Sequence, residues 1–194
     1  MTLRTAIAFL VLSSAVAAQT NKEYPSCALP DPAQAEQRAD TNPKPQNIDG
    51  TLLVYTFLIT GGGDLKPART SEMLVIEKNT AGQEYMDQVL KMCGIVDYYR
   101  QQARGFPEQQ DLVSIQGLAD LERVSKVVRA RDDAHLVELD EDGKARISLH
   151  PGVYVLSVRG SAGINEAFWL GTAKVESGKD TRLKLSKPLV SFAR

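Results

Sequence analysis

The segment Leu139–Arg159 constrains the fold more than any other stretch of this 194-residue chain. It contains two turn signatures, Asp142-Gly143 and Pro151-Gly152, and each is followed by a run in which apolar and polar residues alternate. Alternation with a period of two is typical of a β-strand with one face against a core, because successive side chains point to opposite faces. The sequence therefore predicts that one strand ends near Leu139 and that two more follow in a β-meander.

Other runs rich in β-branched and aromatic residues predict further strands. Thr51–Ile59 is apolar on both faces, which favours a central position in a sheet. The glycine-rich segment after it does not form the GxxxxGK[ST] motif of a phosphate-binding loop and does not lead into a helix, so we interpret it as a loop between strands. The remaining predicted strands are Met73–Ile76, Ala167–Glu176, Thr181–Ser186 and a short edge strand within Leu189–Phe192.

Between Gly82 and Arg131 the apolar residues recur at spacings of three and four, which predicts a pair of amphipathic helices. Gly105-Phe106-Pro107 separates the helices, and Pro107 suits the first position of the second one. Gly94 predicts a bend or a break in the first helix. A helical hairpin must bury its apolar stripes against the sheet or against a partner. These stripes comprise Tyr85, Met86, Val89, Leu90, Cys93, Val96 and Tyr99, and then Leu112, Ile115, Leu118, Leu121, Val124 and Val128.

Residues 1–18 have the features of a secretory signal peptide, namely Arg4, the apolar run Ala6–Leu12 and small residues before Gln19. The run is too short to span a bilayer, which takes about 20 residues. We expect cleavage and export to the periplasm or the exterior, with a retained anchor or a lipoprotein as the alternatives. Residues 19–49 hold five of the nine prolines and predict a disordered arm. Residues 50–194 are predicted to form one domain with the helical insertion at about 82–131.

The chain has two cysteines, so the composition allows one disulfide, which we expect between Cys27 and Cys93. Export would favour the bond, since disulfides persist in oxidising compartments. It would close a loop of about 67 residues and stabilise the fold by on the order of 4 kcal/mol in the chain-entropy picture. The alternative is that Cys93 is a buried thiol on the apolar face of its helix.

The charge distribution and the motifs argue against several functional classes. The net charge is −1, and the basic residues Arg123–Arg131 are interrupted by acidic ones, so we expect a solvated helix face and no nucleic-acid site. Both histidines, His135 and His150, lie outside metal-binding motifs. The chain lacks GxSxG and CxxC, and Gly160–Gly163 has the wrong spacing for a nucleophile elbow. We therefore predict no catalytic residues, no cofactor and no metal.

Two ligand sites remain as alternatives. The carboxylates of Asp140, Glu141 and Asp142 suggest calcium, but the segment lacks the later ligands of an EF-hand loop and is interpreted as an exposed turn. Trp169, Tyr154 and Phe168 on adjoining strands suggest an aromatic platform for a sugar. Because neighbouring residues of a strand point to opposite faces, we expect Trp169 or Phe168 to lie in the core.

The C-terminal part of the chain combines turn residues and alternating apolar residues in a recognisable order. These residues are Asp142, Gly143, Leu149, Pro151, Gly152, Tyr154, Leu156, Val158, Gly178, Lys179, Asp180, Leu183 and Leu185. This pattern resembles the carboxypeptidase regulatory-like domains, which are small transthyretin-like β-sandwiches. The resemblance implies an antiparallel β-sandwich, here with a helical hairpin inserted, and an accessory module outside the cytoplasm that is not an enzyme. The expected function is binding of an unknown protein partner or support of envelope assembly, with a carbohydrate-binding module as the alternative.

Overall fold

The computed structural model describes residues 27–29, 48–60, 62–69, 71–162 and 164–193, which form two β-sheets and two helices. The front sheet contains β1 (Gly50–Ile59), β2 (Leu65–Pro67), β5 (Lys144–Leu149) and β8 (Asp180–Leu185). The back sheet contains β3 (Glu72–Glu77), β4 (Ala134–Glu138), β6 (Gly152–Ala162), β7 (Asn165–Val175) and β9 (Val190–Ala193). The helices α1 (Thr80–Gln102) and α2 (Pro107–Arg129) lie between β3 and β4 in the chain. The predicted β-sandwich with helices is confirmed at this level.

β1 is the centre of the front sheet, as its two apolar faces predicted. β5 pairs with it in antiparallel orientation and β8 in parallel orientation, while β2 pairs with its last residues. The back sheet has the order β4-β3-β6-β7-β9 and is antiparallel throughout. β9 is the short edge strand that the sequence predicted at the C-terminal end.

The predicted β-meander is wrong. β5 lies in the front sheet, whereas β4 and β6 lie in the back sheet, so the turns at Asp142-Gly143 and Pro151-Gly152 cross from one sheet to the other. The chain also crosses between β7 and β8. Of the four connections from β4 to β8, only the one between β6 and β7 is a hairpin. Alternation identifies the buried face of a strand but not the strand beside it. Both sheets supply apolar faces to the same core. An alternating strand therefore fits equally well beside the previous strand of the chain or in the opposite sheet.

The back sheet is buried on both faces and separates two hydrophobic cores. The inner core lies between the sheets and contains Met73, Val75 and the fully buried Trp169. The outer core lies between the back sheet and the helices and contains Leu74 and Ile76. A strand between two cores is apolar at every position, which explains the continuous apolar run of β3.

The helices form an antiparallel hairpin that packs on the outer face of the back sheet. The Asn79 side chain begins α1 by accepting hydrogen bonds from the amides of Ala81 and Gly82. α2 begins at Pro107, as predicted. The break expected at Gly94 is absent, since α1 continues through it to Gln102. The helices approach most closely at Gly117, where a Cβ atom would overlap the side chain of Val96.

Cys27–Leu29 lie against this helical layer. The Cys27 amide donates to the Leu90 carbonyl at 3.2 Å, and Leu29 packs at the edge of the outer core. The predicted signal segment and most of the predicted disordered arm lie outside the described residues, so these assignments and the division into domains stay predictions. Neither α1 nor α2 has the hydropathy of a membrane-crossing helix, and the described residues include no other helix that does.

Candidate functional site

Cys27 and Cys93 are joined by a disulfide, with 5.8 Å between their Cα atoms. The pairing expected from the sequence is thus supported, and the bond ties the described N-terminal residues to α1. Asp97 Oδ2 lies 3.3 Å from Cys27 Sγ, which gives these three residues the spacing of metal ligands. Two sulfurs that are bonded to each other offer no thiolate to a metal. We therefore interpret the group as a covalent staple beside a carboxylate.

The carboxylates considered for calcium are engaged within their own turn. Asp140 Oδ1 accepts hydrogen bonds from the amides of Asp142 and Lys144, at 2.9 and 2.8 Å. Asp142 Oδ2 accepts one from Lys144 Nζ at 2.8 Å, and this contact lowers the pKa of the Asp142 carboxyl. Gly143 has φ +70°, the left-handed conformation that the turn requires. This local network favours the interpretation as an exposed turn.

The structure does not bring the two histidines together. His135 lies on the exposed edge strand β4, whereas His150 lies at the end of β5 in the other sheet. The His150 side chain is 85% exposed, and its Nδ1 lies 2.7 Å from Asp49 Oδ1. The described residues contain no group with metal-ligand spacing that includes a histidine.

The aromatic platform considered for sugar binding is buried. Trp169 and Phe168 point to opposite faces of β7, as expected, but both are core residues because the back sheet has a core on each side. Tyr154 is also buried, and its hydroxyl donates to the His150 carbonyl at 2.9 Å. None of the three rings has a face available for stacking on a sugar.

The end of the helical hairpin, where α1 connects to α2, exposes large apolar side chains. The buried helical residues all fall within positions 82–96 of α1 and 114–128 of α2. Phe106 lies in the connection and is 60% exposed, and Leu112 and Ile115 in the first part of α2 are 66% and 45% exposed. We call Phe106, Leu112 and Ile115 the hairpin-end surface.

Leu112 and Ile115 were predicted to belong to the buried stripe, and that prediction is wrong. The buried residues Ser114, Leu118 and Leu121 share one side of α2. At 3.6 residues per turn, Leu112 lies on the opposite side of the helix and Ile115 lies on its flank.

A second feature is a polar cleft of about 320 Å³ where α2 crosses β3, β6 and β7. Five charged side chains alternate along it in the order Glu72, Arg129, Glu122, Arg159, Glu166. Arg129 Nη1 lies 3.3 Å from Glu72 Oε2 and 3.5 Å from Glu122 Oε1. The nitrogens of Arg159 lie 3.8 Å from Glu122 Oε2 and 3.6 Å from Glu166 Oε2. We call this arrangement the charged cleft.

The charged cleft corrects the interpretation of Arg123–Arg131 as a solvated face. Arg123 is exposed and pairs with Asp120, as a solvated residue would. The side chains of Glu122 and Arg129, however, are only 15% and 22% exposed and face the back sheet. No pattern in the sequence indicated this cleft, because its charged residues come from three separate parts of the chain, namely β3, α2 and the β6–β7 hairpin.

Next to the cleft, a buried chain of hydroxyls joins the helices to the back sheet. Tyr85 Oη lies 2.9 Å from Ser125 Oγ and 2.6 Å from Ser157 Oγ, and the Ser125 hydroxyl donates to the Leu121 carbonyl. Because the one proton of Ser125 is used in that bond, Tyr85 donates to Ser125 and Ser157 donates to Tyr85. Burial is the main cause that raises the pKa of Tyr85. The chain is neutral and acts as a polar link between layers.

Comparison with known proteins identifies no family for this chain. No family model matches it, and no curated protein matches it. Two solved structures are similar to it. One is a Pseudomonas aeruginosa protein proposed to bind carbohydrate, with 13% identity over 73% of this chain and 91% of its own, at a TM-score of 0.38. The other is a minor pilin of Streptococcus agalactiae, with 15% identity over 72% of this chain and 46% of its own, at a TM-score of 0.36. At these values neither similarity carries an argument about function.

Proposed function

We propose that this protein is an exported, non-enzymatic accessory protein that binds a protein partner through the hairpin-end surface. The observation that carries the proposal is the exposure of Phe106, Leu112 and Ile115 at the end of the hairpin where α1 connects to α2. Large apolar side chains that cluster on a surface are typical of interaction sites. Aromatic and long aliphatic residues also supply most of the binding energy at protein interfaces.

Export is supported by the disulfide and by the signal-like features of residues 1–18. Disulfides are rare in reducing compartments, and this one fixes the chain to α1 within the first residues that the structure describes. We place the protein in the periplasm or outside the cell on these grounds.

The resemblance to carboxypeptidase regulatory-like domains forms part of this proposal. It is supported by where the matching residues lie in the two-sheet sandwich. Gly143 and Gly178 occupy left-handed turn positions at crossings between the sheets, with φ +70° and +67°. The matching apolar residues Tyr154, Leu156, Val158, Leu183 and Leu185 belong to the inner core. A transthyretin-like module of this kind serves as a scaffold, and the inserted hairpin supplies the contact surface.

The proposal is tested by photo-crosslinking from single positions of the hairpin in the cells that produce the protein. A photoreactive phenylalanine analogue at position 112 should give one discrete adduct with another protein. The same group at Val127 should give none, since Val127 is also exposed on α2 but lies outside the hairpin-end surface. Phe106→Ser with Ile115→Ser should abolish the adduct, with an unchanged circular dichroism spectrum. Equal labelling from both positions, or adducts only with a second copy of this chain, would contradict the proposal.

A further inference from the structure

We propose that the charged cleft is a second binding site, and that it takes a neutral polyhydroxylated ligand, namely a saccharide. This inference is independent of the hairpin-end surface, so either proposal can fail while the other stands. It also does not use Trp169, Tyr154 or Phe168, whose rings are buried.

The lining of the cleft excludes apolar ligands. Its walls are the five charged side chains together with Ser71, Gly160 and Ser161. Ligand pockets typically measure about 300–1,000 Å³ and are mostly apolar, with a few polar groups that orient the ligand. This cleft lies at the small end of that range and is lined mainly by polar groups. A ligand that fills it must therefore be small and predominantly polar.

The alternation of charges then selects among polar ligands. Each of the two guanidinium groups lies between two carboxylates, so an anion at an arginine also meets carboxylates, and a cation at Glu122 meets an arginine on either side. An inorganic anion can only accept hydrogen bonds, and an ammonium group can only donate them. A hydroxyl does both, so a row of hydroxyls can satisfy a row in which donors and acceptors alternate. A saccharide presents such a row without carrying a net charge.

The arginines retain donors for a ligand. Both carboxylate contacts of Arg159 are ion pairs at 3.6 and 3.8 Å, longer than a hydrogen bond. Its side chain is 34% exposed, so solvent or a ligand can reach it. The Nε atom of Arg129 is buried and has no hydrogen-bond partner among the described residues. Arg159 is thus the donor best placed to bind a ligand, with Glu122 and Glu166 beside it as acceptors.

The floor of the cleft is rigid, which favours a preformed site. β6 and the residues before β3 come so close at Gly160 that a Cβ atom there would overlap the Ser71 hydroxyl. Ser71 Oγ is already held, because it donates to the Arg69 carbonyl at 2.9 Å. The chain also bridges Arg69 to Ser161 at this point. Little ordering entropy would then be lost when a ligand binds.

The test is a nuclear magnetic resonance titration of the oxidised mature protein with separate probes. These are neutral mono- and disaccharides of glucose, galactose and N-acetylglucosamine, with sodium sulfate as the anion and glycine betaine as the zwitterion. At least one saccharide should shift the amide signals of Gly160 and Ser161 in a saturable way, while sulfate and betaine should not. Arg159→Met should weaken that binding at least tenfold, equivalent to about 1.4 kcal/mol. Arg123→Met, a change on the exposed side of α2, should leave it unchanged.

Glu166→Gln removes a charge without changing volume, and it serves as the second variant if Arg159→Met does not fold. This variant should also weaken the binding of the saccharide while leaving the folded structure unchanged. The proposal is overturned if no saccharide gives saturable shifts up to about 50 mM, a range that includes weak ligands. It is equally overturned if sulfate or betaine binds instead. If Arg159→Met lowers the melting temperature and no ligand shifts the signals of the wild type, the charged side chains only stabilise the fold, and the proposal is wrong.

Discussion

At the scale of single residues, the polar groups of this protein act mainly through their immediate neighbours. Glu176 lies at the crossing between β7 and β8, and its carboxylate pairs with Lys179 at 2.7 Å and Lys174 at 3.0 Å. The hydrogen bond from Lys179, and then that from Lys174, lowers the pKa of Glu176 from 4.5 to about 2. A folded pKa below the unfolded value means that the ion pairs stabilise the fold above pH 4.5 and lose their effect as the pH falls toward 2.

We predict that Glu176→Gln lowers the free energy of unfolding at neutral pH, and that the difference from wild type vanishes as the pH falls from 4.5 to about 2. At low pH the wild-type carboxyl is protonated and resembles the amide of the variant. Urea unfolding at a series of pH values measures this difference. Glu141→Gln, a change at another exposed turn, is the control and should have little effect at any pH. If the free energies of unfolding of wild type and Glu176→Gln differ by the same amount at every pH, the ion pairs of Glu176 are not the cause.

At the scale of elements, the hydroxyl chain of Tyr85, Ser125 and Ser157 holds α1 and α2 on the back sheet. The apolar contacts of the outer core determine that the hairpin packs there, but such contacts are not directional. Hydrogen bonds among buried hydroxyls have required distances and angles, so they select one register of the helices on the sheet. The buried serines of α2 were missed in the sequence because serine is most often exposed.

We predict that Tyr85→Phe lowers the free energy of unfolding by about 1–3 kcal/mol, because it leaves the buried Ser157 hydroxyl without its acceptor and removes the donor to Ser125. Chemical denaturation followed by circular dichroism measures the loss. Tyr154→Phe makes the same chemical change where the acceptor is the carbonyl of the exposed His150, and it should cost less. Adding Ser125→Ala and Ser157→Ala to Tyr85→Phe should restore part of the stability. If the triple variant is no more stable than Tyr85→Phe, lost packing rather than lost hydrogen bonding is the cause.

At the scale of the whole molecule, the protein is three layers held by two cores and one covalent bond. The disulfide joins α1 to Cys27, which precedes every described strand, and spans 66 residues of the chain. β1, β2 and β3 all lie within that loop, so the bond limits the separation of the front sheet from the helical layer in the unfolded chain. Cross-linking distant residues in this way stabilises the fold chiefly by restricting the unfolded ensemble.

We predict that Cys27→Ser with Cys93→Ser lowers the free energy of unfolding by about 4 kcal/mol, as expected for a loop of this length. Urea unfolding of the oxidised protein and the variant measures the change. Wild type held in reductant is the control and should match the variant. The denatured oxidised protein should show no titratable thiol, and the reduced protein should show two. Equal stability of the oxidised protein and the variant would contradict this role.

The sequence by itself determined most of the elements. Alternation identified β5, β6 and β8, spacings of three and four identified both helices, and Pro107 marked the start of α2. These patterns are local, because the periods of strand and helix are fixed by backbone geometry. Two cysteines in a chain with a signal-like N-terminus also sufficed to predict the disulfide. The short β2 was not predicted, since three residues are too few to show a period.

Only the tertiary structure decided which elements are neighbours. The turns at Asp142-Gly143 and Pro151-Gly152 are strong turn signals, yet they cross between sheets and do not close hairpins. Phe168 and Trp169 both became core residues because a second core covers the outer face of the back sheet. The charged cleft and the exposed hairpin end likewise depend on where α2 crosses the sheet and which of its sides the sheet covers. Local patterns do not depend on contacts between residues that are far apart in the chain. The candidate binding surfaces of this protein could therefore be identified only in the folded structure.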